Sequence, residues 1–369
     1  MARTEAVLEN VHRRIADHPE IVGDAGELAR IIRQEAGVIS DGDVLELLRR
    51  LRNDSAGIGA LEPLLLIDGV TDIVVNAPNQ VFFDRGAGLE ESDAMFADRA
   101  AIRQLASRLA VACGRRLDDA QPYVDGRLAR DDGSIIRVHA VLSPPAQDSP
   151  CLSLRVLRPA QTTLTELIHR GTVTPGIAEL LREIIRERRS FLVVGGTGSG
   201  KTTMLSALLA EVDHRERIVC IEDTAELRPP HPHVLNLVAR ACNIEGSGEI
   251  TMADLLRQAL RMRPDRIVVG EIRGPEVVDL LAALNTGHNG GAGTIHANSL
   301  AEVPARLEAL AALGGLDRAA LHSQLAAAVD VVIVMKREAD GTRQVHQIGT
   351  LEGVPVAAHV TWEAGRPAP

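Results

Sequence analysis

Residues 191–203 of this chain, Phe-Leu-Val-Val-Gly-Gly-Thr-Gly-Ser-Gly-Lys-Thr-Thr, decide its fold. Phe191 to Val194 predict a buried strand, the glycine-rich residues that follow predict a loop, and apolar residues at helical spacing after Thr202 predict a helix. The pattern Gly195-x-x-x-x-Gly200-Lys201-Thr202 matches a P-loop, in which glycines let backbone N–H groups turn toward phosphate oxygens at a helix N-terminus. The stretch therefore predicts a strand, a phosphate-binding loop and a helix.

The P-loop pattern also predicts which residues hold a nucleotide. Lys201 would reach the β and γ phosphates, and the Thr202 hydroxyl would ligate Mg²⁺, so ATP and Mg²⁺ are the predicted cofactors. A glycine-rich turn without a ligand is the alternative, although such a turn requires neither the lysine nor the threonine pair. The predicted nucleotide-binding residues are Gly196, Thr197, Gly198, Ser199, Gly200, Lys201, Thr202 and Thr203.

The composition is typical of a globular protein with more than one domain. At 369 residues the chain exceeds what one core usually fills, so two domains and a small third element are expected. Aromatic residues make up 2% and the formal net charge is −10, which disfavours base stacking and binding to phosphate backbones. We therefore expect no sequence-specific nucleic acid as a partner, and a nucleic-acid translocase is a disfavoured alternative.

The sequence contains neither a signal peptide nor a membrane-spanning pattern. No apolar run reaches about 18 residues, and the N-terminus lacks an apolar segment, so a cytoplasmic location is predicted. Docking on a membrane complex stays open. The four cysteines lack C-x-x-C spacing, which favours buried thiols in a reducing compartment over a zinc site or a disulfide framework.

The period of the apolar residues divides the chain into four segments. Residues 1–57 predict three amphipathic helices, whose charged faces are solvated or, alternatively, dock on a partner. Residues 58–158 shift toward strand periodicity and predict a compact α+β domain. Residues 159–175 predict a hinge-like linker with one short helical turn. Strands and helices alternate over residues 176–369, which predicts an α/β domain with a parallel sheet.

Acidic residues follow two of the predicted parallel strands. Glu222 follows one strand and Glu271 follows another, and ligands of open parallel sheets bind beyond these carboxyl ends. We predict that Glu271 is the acid near Mg²⁺, although Gly270 stands where many P-loop enzymes keep an aspartate. Glu222 is predicted to orient or deprotonate the attacking water. Glu226 is interpreted as a cap or an ion-pair partner, and a surface acid is the alternative for each.

Histidines and arginines could also act on the phosphates. His288 and His296 flank a short predicted strand and could sense the γ phosphate, with a structural role equally open. Arg137 and Arg155 lie in apolar strand surroundings of the preceding domain, where an unpaired guanidinium would be costly. We predict that these two arginines offset charge on the transferring phosphoryl group, with a structural ion pair as the alternative for each.

These motifs together resemble those of the secretion-superfamily ATPases of type II and type IV secretion and type IV pili. Besides the P-loop, three stretches resemble motifs of that family: the Asp box at residues 221–227, the atypical Walker B motif at residues 259–274 and the His box at residues 286–299. Residues 59–65, 70–76 and 81–90 look most like the tight-adherence (Tad/Cpa) pilus branch. The chain departs from the family at Gly290-Gly291-Ala292-Gly293, where relatives often carry Ser or Thr.

The resemblance implies a homohexameric motor ATPase for pilus assembly or secretion. Its RecA-like P-loop domain follows a smaller α+β domain and an N-terminal helical segment, and ATP lies between the two domains. Its partner would be an inner-membrane platform protein, which would place it peripherally at the inner face of the cytoplasmic membrane. The predicted catalytic residues are Lys201, Glu222, Glu271, Arg137, Arg155 and His296, and the predicted metal ligands are Thr202 and Glu271.

Two other functions remain open from the sequence. One is a conjugative type IV secretion ATPase, which belongs to the same class. The other is a nucleotide-dependent scaffold that binds ATP and assembles with little turnover.

Overall fold

The computed structural model describes residues 10–11, 25–36, 39–40, 42–44, 47, 57–86, 88–159, 161–240, 242 and 247–366. The chain divides into two compact units, Met1–Leu157 and Arg158–Pro369. In the N-terminal segment, helix α1 (Ala25–Ala36) buries Leu28, Ile31 and Ile32 on one face. The other two helices predicted there lie largely outside the described residues.

The first unit is built on a six-stranded sheet in which every neighbouring pair is antiparallel. A short helix α2 (Glu62–Leu65) precedes the sheet, and α3 (Arg99–Ala112) packs on one of its faces. Asp98 begins α3 by accepting a hydrogen bond from the Ala101 N–H. The strand order is β3-β2-β1-β6-β5-β4, and the strands are β1 (Asp72–Ala77), β2 (Gln80–Asp84), β3 (Leu89–Glu91), β4 (Tyr123–Ala129), β5 (Ile135–Val141) and β6 (Cys151–Leu157).

Side chains alternate between the two faces of this sheet. In β5, Ile136, Val138 and Ala140 enter the core against α3, and the residues between them face away from it. The same alternation in β6 buries Leu152, Leu154 and Val156. One face of the sheet is therefore apolar and covered, and the other is polar.

The second unit is built on an eight-stranded sheet with six parallel strands. The order is β14-β13-β12-β7-β11-β10-β8-β9, and β13 pairs antiparallel with both of its neighbours, β12 and β14. The strands are β7 (Phe191–Gly195), β8 (Ile218–Glu222), β9 (Val234–Val238), β10 (Arg266–Ile272), β11 (Ala292–Ile295), β12 (Val331–Arg337), β13 (Arg343–Glu352) and β14 (Ala357–Glu363).

Helices cover both faces of the second sheet. Phe191 and Val193 of β7 pack with one set of helices, and Leu192 and Val194 pack with another, because successive side chains of a strand point to opposite faces. The first set is α4 (Leu164–His169), α5 (Pro175–Arg186) and α6 (Lys201–Leu209). The second set is α7 (Met252–Ala259), α8 (Glu276–Asn285), α9 (Val303–Leu313) and α10 (Arg318–Ala328).

Much of the segment predicted as a linker packs into the second unit. Leu164, Leu167 and Val173 are buried in the core that contains α5 and α6. The Val345 N–H of β13 donates to the Thr172 carbonyl at 3.1 Å. The residues from Leu164 onward therefore belong to the second unit, and α4 is more than an isolated helical turn.

Two further observations bear on the expectations from sequence. Cys220 is buried, but Cys242 is exposed, so the expectation of buried thiols is wrong for Cys242. Over the described ranges, no helix has both the length and the apolar character needed to cross a membrane.

Candidate nucleotide-binding site

The loop after β7 has the backbone geometry that an anion site requires. Gly198 and Gly200 have φ values of +71° and +92°, which glycine adopts without strain. A Cβ at Gly195 would lie 2.5 Å from the Met335 carbonyl oxygen, so only glycine fits there. Helix α6 begins at Lys201, and no side chain caps its N-terminus among the described residues. The first N–H groups of α6 are thus available to phosphate oxygens.

Lys201 folds back over this loop. Its Nζ donates to the carbonyl oxygens of Gly195 and Gly196, both at 3.0 Å. Burial lowers the pKa of Lys201, and the negative charge of Glu271 opposes that effect. The ammonium group therefore lies at the loop, within the electrostatic influence of the strand-end acid.

A cluster of charges stands at the carboxyl end of β10. The Arg273 guanidinium contacts the carboxylate of Glu271 and lies 3.4 Å from the nearer Asp223 oxygen. Glu226 belongs to the same electrostatic environment, since its charge acts on the pKa of both Lys201 and Arg273. The sheet thus brings acids from the ends of β8 and β10 to the edge where the P-loop lies, as its topology predicts.

Glu222 is buried between β8 and the turn that follows it. One carboxylate oxygen accepts the N–H groups of Glu226 and Leu227 at 3.0 Å each, and the other accepts from the Asn236 amide at 3.3 Å. Only 2% of Glu222 is exposed, and this burial raises its pKa to about 7. A carboxyl group with a pKa in this range is suited to accept a proton at neutral pH.

Gly270 makes room for that carboxylate. A Cβ on Gly270 would lie 2.7 Å from Cγ of Glu222 and 3.1 Å from its Oε1. The position where many P-loop enzymes keep an aspartate is therefore occupied from the neighbouring strand by the Glu222 side chain. The departure noted in the sequence has a steric cause.

The two histidines lie at opposite ends of β11. His296 follows the strand at the P-loop edge, is partly exposed, and has no hydrogen-bond partner within the described residues. His288 precedes the strand, on the side where Phe191 N–H bonds to the Gly291 carbonyl. Its Nδ1 contacts the Ala283 carbonyl at 3.3 Å. The suggestion that His288 senses the γ phosphate is therefore wrong, because a strand separates it from the loop.

Arg137 and Arg155 stand on the polar face of the first unit's sheet. They are direct cross-strand partners on β5 and β6. Arg137 makes two hydrogen bonds to Asp125, at 2.9 and 3.1 Å, and Arg155 bonds to Asp72 at 2.9 Å. The side chains are 43% and 51% exposed. The expectation of apolar surroundings is wrong, because strand alternation turns both arginines away from the core.

A cavity of about 370 Å³ opens beside the first turn of α6. Gly200, Thr203 and Met204 form one side, and three arginines, Arg158, Arg170 and Arg343, stand around it. The described residues that line it include no acid. The remaining lining residues are Pro159, Thr162, Leu167, Thr172, Met335, Gly341 and Thr342. Its position next to the loop suits the nucleoside end of a nucleotide, and its arginines suit the phosphates nearest to that end.

The residues at the loop fit a Mg²⁺ ion that is held partly by phosphate. Thr202 in the first turn of α6 and Glu271 offer the oxygen donors that Mg²⁺ prefers. No group of three or more His, Cys, Asp or Glu side chains in the described part of the chain could hold a metal alone. Such a sparse set is typical of magnesium that binds together with substrate phosphates.

The structure adds residues that the sequence analysis does not single out. Arg273, the first residue after β10, is paired with two acids, Glu271 and Asp223. Its position two residues after Glu271 is the signal in the sequence that the two side chains meet. Asn298 Oδ1 would lie 3.5 Å from a Cβ on Gly196. Arg337 and Arg343 approach the loop from the β12–β13 hairpin, which no local motif indicates.

A parallel sheet covered by helices on both faces, with a P-loop at one strand end and acids at two others, defines a P-loop nucleotide-binding protein. A family model described as type II/IV secretion system protein matches residues 54–358. A putative conjugal transfer protein of Mycobacterium tuberculosis is 57% identical over 333 residues, which cover 89% of this chain and 95% of that protein. Conjugal transfer protein TrbB of Rhizobium radiobacter is 32% identical over 292 residues, or 77% of this chain and 84% of TrbB.

Among solved structures, the Legionella pneumophila ATPase DotB is similar in fold. It is 21% identical, with a TM-score of 0.55, over 76% of this chain and 77% of that one. The chain belongs to the type II/IV secretion system protein family. This membership confirms the predicted secretion superfamily, its ATPase class and the α/β fold, and it does not distinguish the tight-adherence branch.

Proposed function

We propose that this chain is a motor ATPase that hydrolyses ATP to drive a pilus or secretion machine at the inner membrane. The observation that carries the proposal is the convergence of Lys201, Glu271 and the buried Glu222 at the P-loop edge of one sheet. Phosphoryl transfer to water requires the triphosphate to be held, its charge to be offset and the water to be oriented.

The residues of this chain would divide these tasks among them. The loop N–H groups and Lys201 bind the phosphates, with Gly196 to Thr203 as the binding residues. Glu222 accepts the proton of the attacking water at its carboxylate, where hydrogen bonds occupy three of about four acceptor positions. His296 lies at the same edge and would contact the γ phosphate.

Thr202 and Glu271 would hold Mg²⁺. When bound, the ion would offset negative charge on the β and γ phosphates. In the structure Arg273 contacts Glu271. Arg273 contacts one oxygen of that carboxylate, so the metal would bind through the other oxygen or displace Arg273.

Arg137 and Arg155 would supply positive charge to the γ phosphate. Each is exposed and ion-paired with an acid on a neighbouring strand, Asp125 for Arg137 and Asp72 for Arg155, and exchange of such a pair for a phosphate costs little. Exchange of this kind would couple hydrolysis to movement of the first unit, across residues 159–175 or between neighbouring subunits. The chain would act as a homohexamer.

The machine served by the motor is the finer part of the proposal. Two similar proteins are named conjugal transfer proteins, which favours a conjugative type IV secretion role. The resemblance of residues 59–90 to the tight-adherence branch favours a pilus. In both cases the partner is an inner-membrane platform protein, through which the chain associates peripherally with the membrane from the cytoplasm. The identity of the platform protein that co-purifies with it would separate the two roles.

The test of the proposed function is turnover by purified variants. Lys201→Ala is expected to abolish nucleotide binding, and Glu271→Gln to abolish turnover while binding persists. Glu187→Gln is the matched control, since Glu187 is exposed at the end of α5. Turnover that survives both substitutions would contradict the proposal. Tight binding without turnover in the assembled wild type would instead favour the scaffold, and stimulation by DNA would favour a translocase.

A further inference from the structure

Two arginines of the β12–β13 hairpin lie beside glycines of the P-loop. Arg337 and Arg343 are paired across the two strands. Nη1 of Arg337 lies 3.6 Å from where a Cβ on Gly198 would be, and Cδ of Arg343 lies 3.3 Å from that position on Gly200. The hairpin therefore places two guanidinium groups beside the glycines that bracket the loop's last turn.

These arginines are not neutralised by nearby acids. Arg343 donates from Nε to the Gly198 carbonyl at 2.9 Å, an uncharged acceptor. Within the described part of the chain, the Arg337 side chain has neither a hydrogen-bond nor an ion-pair partner. The acids of the hairpin are engaged elsewhere, since Glu338 bonds to Lys336 and Gln344, and Asp340 to Thr342.

The two positive charges also repel each other. Burial lowers the pKa of Arg343, and the charge of Arg337 lowers it further. Like charges held together without an acid destabilise a site that is empty. An anion bound between the loop and the hairpin would remove that repulsion.

The location of Arg343 indicates which part of a nucleotide would supply the anion. Arg343 lines the 370 Å³ cavity together with Gly200 and Thr203. In a P-loop the backbone cradles the α and β phosphates, and the lysine extends to the γ phosphate. Lys201 and Glu271 therefore mark the γ end, and Arg343 stands on the side of the diphosphate and the nucleoside.

We propose that Arg337 and Arg343 bind the diphosphate part of the nucleotide. The β12–β13 hairpin of the same chain would then contact the phosphates together with the P-loop. The proposal rests on the proposed nucleotide site and adds to it a binding role separate from that of Arg137 and Arg155. Contacts to the diphosphate are made equally before and after hydrolysis. Removing them should therefore raise Kd and KM and leave kcat unchanged.

The test compares fluorescent mant-ADP and mant-ATP binding to the full-length protein. Arg337→Gln and Arg343→Gln are each expected to weaken both ligands about tenfold, equivalent to about 1.4 kcal/mol. Lys336→Gln is the matched control, because it removes one positive charge from the neighbouring position, where Lys336 pairs with Glu338. It should bind both ligands as the wild type does.

Arg337 separates binding from a structural role. Its side chain has no bond within the described chain to lose, and its charge repels Arg343, so Arg337→Gln should keep or slightly raise the melting temperature of the unliganded protein while weakening mant-ADP. Arg343→Lys should restore part of the affinity, since it keeps the charge.

The inference is overturned if both glutamine variants bind mant-ADP like the wild type while Lys201→Ala does not, which would leave the proposed function standing. An effect on mant-ATP alone overturns it too, because the arginines would then act at the γ phosphate. A wild type that binds neither ligand overturns the inference and the proposed function together.

Discussion

Near the end of β10, a glycine in place of a residue with a side chain allows the carboxyl group of Glu222 to be buried. Gly270 leaves space that Glu222 fills from the neighbouring strand, and three N–H donors hold the carboxylate there. The sequence predicts that Glu222 follows a strand, and it flags Gly270 as unusual. It cannot predict that one explains the other, because the two residues are 48 positions apart and meet only through strand pairing.

Gly270→Ala should therefore impair turnover through Glu222. The added Cβ would lie 2.7 Å from Cγ of Glu222 and force that side chain to move. We expect a loss of turnover of at least about tenfold and a loss of stability of about 1–3 kcal/mol, which is usual for overpacking. ATPase rates and thermal melting measure the two effects.

Gly293→Ala is the control for crowding alone. Its Cβ would lie 2.8 Å from Cδ1 of Ile272, in the apolar core. It should destabilise the protein comparably and reduce turnover much less. An equal loss of turnover in both variants would contradict the role given to Gly270.

Glu222 should also make stability depend on pH. Its pKa is raised from 4.5 to about 7, so the folded protein keeps a proton that the unfolded chain releases in that window. Stability from this group is full below pH 4.5 and is lost as the pH rises to about 7, by about 3 kcal/mol at most. In Glu222→Gln, which cannot ionise, this loss of stability with rising pH is absent. Its melting temperature should therefore rise relative to the wild type between pH 4.5 and 7.5, and a difference independent of pH would refute this.

At the scale of elements, continuous apolar runs are predictable and edge or mixed strands are not. β7, β8 and β12 are buried on both faces, so their apolar runs indicate strands directly. The sequence does not predict β4, where Asp125, Gly126 and Arg127 interrupt the apolar pattern, or the partly exposed edge strand β9. It also places Arg137 and Arg155 in apolar surroundings, because it shows neighbours along the strand and not the face.

The arginine pair on β5 and β6 should matter for turnover and hardly for stability. Arg137→Gln breaks the ion pair with Asp125 and Arg155→Gln the ion pair with Asp72, and a pair of this solvated kind is worth about 1 kcal/mol or less. If they act on the γ phosphate, turnover should fall by about a thousandfold while mant-ADP binding persists. Arg103→Gln breaks an exposed pair with Asp119 and serves as the control. Normal turnover in both strand variants would remove these arginines from the mechanism.

At the scale of the whole molecule, each unit has a core of its own. Ile73, Leu105 and Val138 belong to the first, and the two faces of the second sheet pack separately against their own helices. The order of the four motifs suffices to predict the family from sequence. The motifs do not predict the positions of Arg337 and Arg343, because these arginines are more than 130 positions away from the P-loop in sequence.

The second unit alone should bind nucleotide without hydrolysing it. Residues 158–369 contain the P-loop, the strand-end acids and the cavity, and they lack Arg137 and Arg155. This fragment should bind mant-ADP, lose binding with Lys201→Ala, and show ATPase activity near background. Full turnover by the fragment would show that the first unit has no part in the chemistry.

The cavity lies only a few residues along the chain from Arg155 of β6. Strand β6 ends at Leu157, and the next residue, Arg158, already borders the cavity. Arg155 is only three residues upstream, a contour length of at most about 11 Å. A nucleoside that contacts Arg158 would therefore hold the residue from which the chain runs directly into β6, the strand that carries Arg155.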